Sequence, residues 1–434
     1  MQKKGTIKGL LPLIFFLVLY MGTGILSGSF SSMPLLLAFI ITSAFSLLLD
    51  RDGEKTSLEE KVSIFTRSGG EETIILMVVI FLLAGAFYSV ADAMGAVKSI
   101  VSLGLTILPS NLLLPGLFLI SCILSFSMGT SMGTITAVAP IGVGIATQTE
   151  INMALVMGTV IGGAMFGDNL SFISDTTIAA TRTQGVELRD KFKANLMIVL
   201  PAVIITIIIL SFIKIPNVNL ESYDYSFINI LPYITIIISA LMGINVMAVL
   251  GIGIITGSVV GIATSSFTIV ELFGVIQRGM GWMQDLSMIA IIVGGVVGLM
   301  KHYGGIEYLL DKVTSKVTTK TGGQFGIAAL VALITAATTN NTISIITAGP
   351  LAKDISKEYG IDSRKTASLL DIFSAGIQGI IPYGGQLLLA AGLAKISPIE
   401  IMPYSIYSIL MIIMGCLAIV AKFPKEKVLV EKEV

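Results

Sequence analysis

Long apolar stretches separated by short polar segments run through the whole chain of 434 residues. A helix that crosses a membrane needs about 20 largely apolar residues. Stretches of roughly that length predict plain membrane-spanning helices along both halves of the chain. They lie at about 9–27, 32–49, 73–94, 194–213, 227–243, 246–264, 285–301 and 399–421.

Four further apolar regions do not fit a single plain span. Regions 151–181 and 364–396 are long enough to cross but are interrupted at 167–177 and 382–385, and we interpret them as broken helices. Regions 111–147 and 322–352 are too long for one span and carry a short polar tip in the middle, which predicts re-entrant hairpins. Irregular backbone at membrane depth needs protein, water or a ligand to satisfy its polar groups, so these breaks are candidate binding positions.

The composition agrees with a membrane protein and excludes several other classes. The chain is 54% hydrophobic and 12% charged, whereas soluble domains carry about 25% charged residues. A net charge of zero leaves no basic surplus for a nucleic-acid partner. Both cysteines lie in apolar stretches, so we expect neither a disulfide framework nor a cysteine-ligated metal. The expected partner is the lipid bilayer.

The positions of Lys and Arg test this arrangement, because cytoplasmic loops are enriched in them. With both termini inside and both hairpins re-entrant, nearly all of the 27 basic residues fall on inner segments. The exceptions are Lys98, Lys214, Arg278 and Lys395. The pattern predicts a multi-pass protein of the inner (cytoplasmic) cell membrane with both termini cytoplasmic.

The two hairpin tips can be superimposed in sequence. Segment 129–140 matches segment 339–350, and Pro140 and Pro350 set the offset at 210 residues. We therefore predict an all-α polytopic protein with about ten transmembrane helices plus two re-entrant hairpins and two broken helices. Residues 1–213 would form a first repeat and residues 214–434 a second repeat of inverted topology. Inverted repeats with paired broken helices are typical of secondary transporters that bind their cargo near the membrane midplane.

The densest polar stretch inside a predicted span is 167–177, which contains Asp168 and Asp175. Charges at membrane depth are costly unless they are paired or hydrated, so they are functional candidates. The stretch also supplies neutral oxygens from Asn169, Ser171, Ser174, Thr176 and Thr177. Several oxygens with little net charge suit a sodium ion, which we place at Asp168 and Asp175. The ion- or substrate-binding residues expected from the two tips are Thr130, Ser131, Asn340, Asn341 and Thr342.

A poorly hydrated carboxylate can hold either a proton or a sodium ion, and that competition is the minimal chemistry of an antiporter. We hypothesise that Asp168 is the exchanged site. Enzymatic activity is not expected: His302 is the only histidine, and Met165 stands where an intramembrane aspartyl protease motif would need glycine. The expected solutes are transported sodium and protons, with no catalytic residues and no resident cofactor.

The segment Gly167-Asp-Asn-Leu-Ser-Phe-Ile-Ser-Asp-Thr-Thr177 resembles the signature of the NhaC-type sodium/proton antiporters, roughly G-D-x-x-S-P-x-S-D-T-T. The tip 129–134 also resembles that family's first hairpin. Phe172 departs from the pattern, because the family usually has proline there. The resemblance implies membership in the wider ion-transporter superfamily, homodimers with an elevator-like movement, and an ion-binding stretch. That stretch comprises Asp168, Asn169, Ser171, Ser174, Asp175, Thr176 and Thr177.

Two functions remain open from the sequence. The first is sodium/proton exchange by alternating access, which is favoured because no basic residue is expected deep in a span. The second is sodium- or proton-coupled transport of an amino acid or a small organic acid such as malate or lactate. The polar tip with Asn340 and Asn341, together with facing helix ends, would suit the carboxylate of such a solute.

Overall fold

A computed structural model describes residues 5–27, 32–51, 55–107, 109–172, 174–213, 225–314 and 317–424. Within these ranges the regular structure is helical, which confirms the predicted all-α fold class. The α-helices are α1 (Leu11–Ser27), α2 (Leu35–Leu48), α3 (Leu58–Gly69), α4 (Glu72–Ala93), α5 (Ala96–Ile107), α6 (Leu113–Met128), α7 (Ser131–Thr149), α8 (Met153–Leu170), α9 (Asp175–Gln184), α10 (Leu188–Phe212), α11 (Phe227–Leu241), α12 (Val246–Ala263), α13 (Ile269–Trp282), α14 (Gln284–His302), α15 (Gly305–Thr314), α16 (Lys320–Thr338), α17 (Asn341–Glu358), α18 (Ser363–Gln378), α19 (Gly385–Ala394), α20 (Pro398–Ile401) and α21 (Ile406–Val420).

The helix lengths bear on the predicted number of membrane crossings. Among the described residues, 7 helical segments are long and apolar enough to cross, or 8 when the bent pair Gly385–Ala394 and Pro398–Tyr404 counts as one span. Three predicted plain spans coincide with apolar helices below the 18-residue length, which are Leu35–Leu48, Phe227–Ser239 and Ile406–Val420. A fourth shorter helix, Leu113–Met128, is an arm of the first predicted hairpin, and one of the 7 segments, Lys320–Thr338, is an arm of the second. The chain is a polytopic helical membrane protein.

Both predicted hairpins and both broken helices are formed. The hairpins are the pairs α6–α7 and α16–α17, each joined by two residues. The first broken helix is α8–α9, interrupted after Leu170 and resumed at Asp175, and the second is α18–α19. The first break is therefore shorter than the predicted 167–177, since α8 continues through Asp168. The turns of the two hairpins use different left-handed residues, which are Gly129 in the first hairpin and Thr339 in the second.

Left-handed turn residues recur at the 210-residue offset that the tips predict. The pairs are Gly129 and Thr339, Glu150 and Gly360, and Gly185 and Lys395, all with φ between 55° and 70°. Helices α9 and α19 also start and end 210 residues apart, at 175–184 and 385–394. The 210-residue offset thus recurs in the local structure, while the division into repeats at residue 213 stays a prediction. The opposite orientation of the two repeats in the membrane stays a prediction.

Four amphipathic helices, α3, α5, α13 and α15, were not expected from the sequence. Each alternates polar and apolar residues with helical periodicity, so none contains an apolar run long enough to register as a span. Helix α3 packs on α14 and α13 packs on α4, while α5 and α15 pack on α11 and α16. Three of them therefore pack against plain spans, while α15 packs against an arm of the second hairpin.

The hairpins and broken helices pack across the two halves. Helix α17 of the second hairpin lies against α9, and α7 of the first hairpin lies against α19. Each hairpin thus contacts the broken helix of the other half. This exchange brings both polar tips and both breaks into one region, where the candidate site lies.

The contact between α6 and α8 depends on glycine. A Cβ at Gly167 would lie 2.2 Å from the backbone nitrogen of Phe126 on α6. We expect Gly167→Ala to force the helices apart and to cost about 1–3 kcal/mol of stability, the usual range for overpacking. Thermal unfolding in detergent checks this against Gly274→Ala, whose Cβ would meet nothing within 4 Å. Equal melting temperatures for the two variants would contradict the close-packing argument.

Candidate functional site

Asp168 lies in the last turn of α8, immediately before the break, with 4% of its surface exposed. Its Oδ1 accepts a hydrogen bond from Ser174 Oγ at 2.7 Å. Its Oδ2 accepts hydrogen bonds from Ser131 Oγ at 3.0 Å and from Asn341 Nδ2 at 3.4 Å. One carboxylate is therefore held by its own broken helix and by both hairpin tips.

The start of α9 is tied to the end of α8 by hydroxyl groups. The hydroxyls of Ser174 and Thr176 lie 2.8 Å apart, and Thr176 Oγ1 donates to the carbonyl oxygen of Asp168 at 3.2 Å. Ser171 is buried at the C-cap of α8, where its N–H donates to the carbonyl of Gly167 at 2.7 Å. These bonds hold the last turn of α8, which carries Asp168, against the start of α9.

Asp175 has a different environment from Asp168. Its side chain is exposed, and its Oδ2 accepts a hydrogen bond from Thr342 Oγ1 of the second hairpin at 2.8 Å. Its Oδ1 accepts from the backbone N–H of Thr176 at 3.0 Å. Both predicted carboxylates therefore contact hairpin tips, but only Asp168 is buried.

Both carboxylates line a cavity of about 330 Å³. Seven residues predicted for the site line it: Thr130, Ser131, Asp168, Asp175, Asn340, Asn341 and Thr342. Its lining also includes the exposed residues Thr73, Gly243 and Asn245. Among the described residues that line this cavity there is no Lys, Arg or His.

The second broken helix reaches the cavity through two glutamines. Gln378 Nε2 donates to Gln386 Oε1 at 2.7 Å and to the carbonyl of Thr339 at 2.9 Å. Gln386 Nε2 in turn donates to Ser131 Oγ at 3.0 Å. This chain of hydrogen bonds connects the second break to Asp168 through Ser131. Asn340, by contrast, uses its side chain to cap α17.

One basic residue is buried inside the protein near the start of α10, which the sequence analysis did not expect. Lys191 lies in α10 with its side chain completely buried, and its Nζ forms an ion pair with Asp371 of α18. Lys191 Nζ also donates to the carbonyl of Asn169 at 2.6 Å and to Thr177 Oγ1 at 2.9 Å. The predicted span began at 194, whereas α10 begins at Leu188 and carries Lys191 into the packed region.

Two predicted ligands, Asn169 and Thr177, contact this ion pair and are not among the residues that line the cavity. Thr177 Oγ1 donates to Asp371 Oδ2 at 3.3 Å. Asn195 Nδ2 donates to both the carbonyl and the Oδ1 of Asn169, each at 2.9 Å. The structure thus assigns seven of the predicted residues to the cavity lining and two to the surroundings of Lys191. The other three lie at the junction of α8 and α9, and they are Ser171, Ser174 and Thr176.

Sequence reasoning missed three residues in and around the ion pair, which are Lys191, Asn195 and Ser368. Ser368 Oγ donates to Asn195 Oδ1 at 2.6 Å. A usable signal was present, because Lys191 and Asn195 are four residues apart and therefore share one face of α10. Two polar side chains on one face at the start of an apolar helix indicate a buried polar contact.

Phe172 lies in the break between α8 and α9. Its ring stacks on Phe192 with 4.8 Å between centroids and meets Phe126 edge-on at 6.2 Å. The side chain is 41% exposed. An aromatic cluster therefore stands where the resembled motif carries proline.

The chain is similar in sequence to known membrane transporters. A model of the Na+/H+ antiporter family matches residues 38–215 and again residues 211–422. The chain is 24% identical over 438 residues to the Malate-2H(+)/Na(+)-lactate antiporter of Bacillus subtilis (strain 168), covering 91% of this chain and 92% of that protein. It is 24% identical over 366 residues to the Na(+)/H(+) antiporter NhaC of Alkalihalophilus pseudofirmus, covering 76% and 78%. It is 23% identical over 453 residues to the Arginine/ornithine antiporter ArcD of Halobacterium salinarum, covering 94% and 91%.

Proposed function

Because this chain belongs to the Na+/H+ antiporter family, we propose that it exchanges sodium for protons across the cytoplasmic membrane, with Asp168 as the exchanged site. The family match and the NhaC relatives confirm the NhaC-type resemblance. The chain is a multi-pass membrane protein of a transporter family. The proposal also includes three further features, which are the absence of enzymatic activity, cytoplasmic termini and a homodimeric assembly.

The observation that carries the proposal is the environment of Asp168. Its carboxylate is buried at a helix break, and the three donors that the described part of the chain supplies are the neutral side chains of Ser131, Ser174 and Asn341. Hydroxyl groups have lone pairs as well as a proton, so the two serines can turn from donating to the carboxylate to coordinating a cation. A sodium ion or a proton neutralises the same charge, and each therefore displaces the other.

The exposed residues that line the cavity support access to it from one side of the membrane. Thr73 is in the first turn of α4, while Gly243 and Asn245 lie between α11 and α12. The distribution of Lys and Arg assigns these helix ends to the cytoplasmic side. The cavity would then open inward in this conformation. Release of the ion to the other side of the membrane would require the hairpins and broken helices to move against the plain spans.

The size of the cavity favours a second candidate function, which is transport of a small organic solute. The helices α7, α9, α17 and α19 all begin at residues that line the cavity: Ser131, Asp175, Asn341 and Gly385. Helix N-termini carry partial positive charge and bind carboxylates. Against this function, two carboxylates and no basic residue are among the described lining residues, which disfavours an anion.

Transport by the purified protein in liposomes tests the two candidates. A pH-sensitive dye inside the vesicles would report proton movement when sodium is added outside. We expect proton flux with sodium as the only added solute, because the site described requires no organic partner. The control adds malate, lactate or arginine, each with and without sodium. Proton flux that appears only with one of these solutes would favour the second candidate.

A further inference from the structure

The ammonium group of Lys191 is surrounded by oxygen atoms inside the protein. It contacts the carbonyl of Asn169, the hydroxyl of Thr177 and the carboxylate of Asp371. The side chains of Lys191 and Asp371 are both 0% exposed. Burying a cation is costly unless its surroundings replace water, so this oxygen set compensates for a full positive charge.

These oxygens are held in place by neighbours other than Lys191. Asn195 donates two hydrogen bonds to Asn169, and Ser368 donates to Asn195. Asp371 Oδ1 is buried and makes no hydrogen bond within the described part of the chain. The cluster therefore offers a carbonyl, a hydroxyl and a carboxylate with one oxygen to spare, which are the ligand types that hard cations prefer.

We propose that this cluster is a second monovalent-cation site, which the Lys191 ammonium fills as a tethered cation. In the native protein the second site is closed to free sodium, and the charge of Asp371 is neutralised internally. One free sodium ion then binds, at Asp168. The inference rests on the proposed function only in taking Asp168 as the binding site of this first sodium ion.

Lys191→Ala removes the tethered cation and leaves its oxygen ligands. We expect the purified variant to bind two sodium ions per chain where the native protein binds one, measured by equilibrium dialysis against radioactive sodium. Its melting temperature should be low in choline chloride and rise with sodium concentration, by more than that of the native protein. A free sodium ion would then replace the missing ammonium.

Two double variants separate this inference from the proposed function. Lys191→Ala/Asp371→Asn removes the carboxylate of the second site and should bind one ion. Lys191→Ala/Asp168→Asn should also bind one ion, now at the second site. If Asp168→Asn in the native background still binds sodium normally, the proposed function fails whatever Lys191→Ala does.

The inference is overturned if Lys191→Ala binds only one sodium ion while the native protein also binds one. It is equally overturned if Lys191→Ala stays misfolded at every sodium concentration, because a free cation would then be unable to use these oxygens. Sodium-dependent recovery of folding that disappears in Lys191→Ala/Asp371→Asn supports it.

Discussion

Asp168→Asn is expected to reduce sodium-driven proton movement in liposomes to the level of empty vesicles. Asparagine keeps the size of the side chain but cannot carry the negative charge for which sodium and protons compete. Of the two carboxylates that line the cavity, Asp168 is the buried one, with 4% of its surface exposed. The measurement is the initial rate of dye response after a sodium jump.

Asp354→Asn is a matched control for this substitution. Asp354 lies in α17, is exposed, and its replacement removes the same charge from the second hairpin. Its exchange rate should equal that of the native protein. Exchange by Asp168→Asn at the native rate would show that another group carries the ions.

Asp371→Asn is expected to produce the largest loss of stability. The substitution leaves the Lys191 ammonium in a completely buried position without its ionic partner. Breaking a buried ion pair in this way typically costs about 3–5 kcal/mol. Thermal or chemical unfolding of the purified protein in detergent measures the change.

The double variant Lys191→Met/Asp371→Leu is the informative control for the ion pair. It removes both charges and substitutes apolar side chains, so most of the lost stability should return. If Asp371→Asn is as stable as the native protein, the ion pair is hydrated and contributes little to stability. If Lys191→Met/Asp371→Leu is as unstable as Asp371→Asn, the lost stability comes from packing and not from the unpaired charge.

The spans, hairpins and breaks could be predicted because the bilayer imposes a length on apolar segments. The regions 111–147 and 322–352 correspond to α6–α7 and α16–α17, and the predicted tips contain the turns at Gly129 and Thr339. The amphipathic helices could not be found in the same way, because their apolar residues are spaced at helical intervals instead of forming a run.

The cavity half of the candidate site could also be predicted, since Asp168, Asp175 and the hairpin tips are conspicuous polar residues in apolar surroundings. The Lys191 half could be predicted only in part, because the i, i+4 pair Lys191 and Asn195 is visible in the sequence and their partners on α18 are not. A lysine near the end of a span usually extends its side chain to the membrane surface. Lys191 is buried because Asp371 lies against it, and these residues are 180 positions apart in the sequence. Contacts of that range leave no local pattern.

Proton release on sodium binding tests the central claim most directly. Purified protein in detergent and a weakly buffered solution receives sodium chloride, with choline chloride as the control salt, while a pH electrode records the solution. If sodium and a proton compete for Asp168, the native protein will release protons in a saturable manner and Asp168→Asn will release none. Sodium binding without proton release, or equal release by Asp168→Asn, would contradict the account.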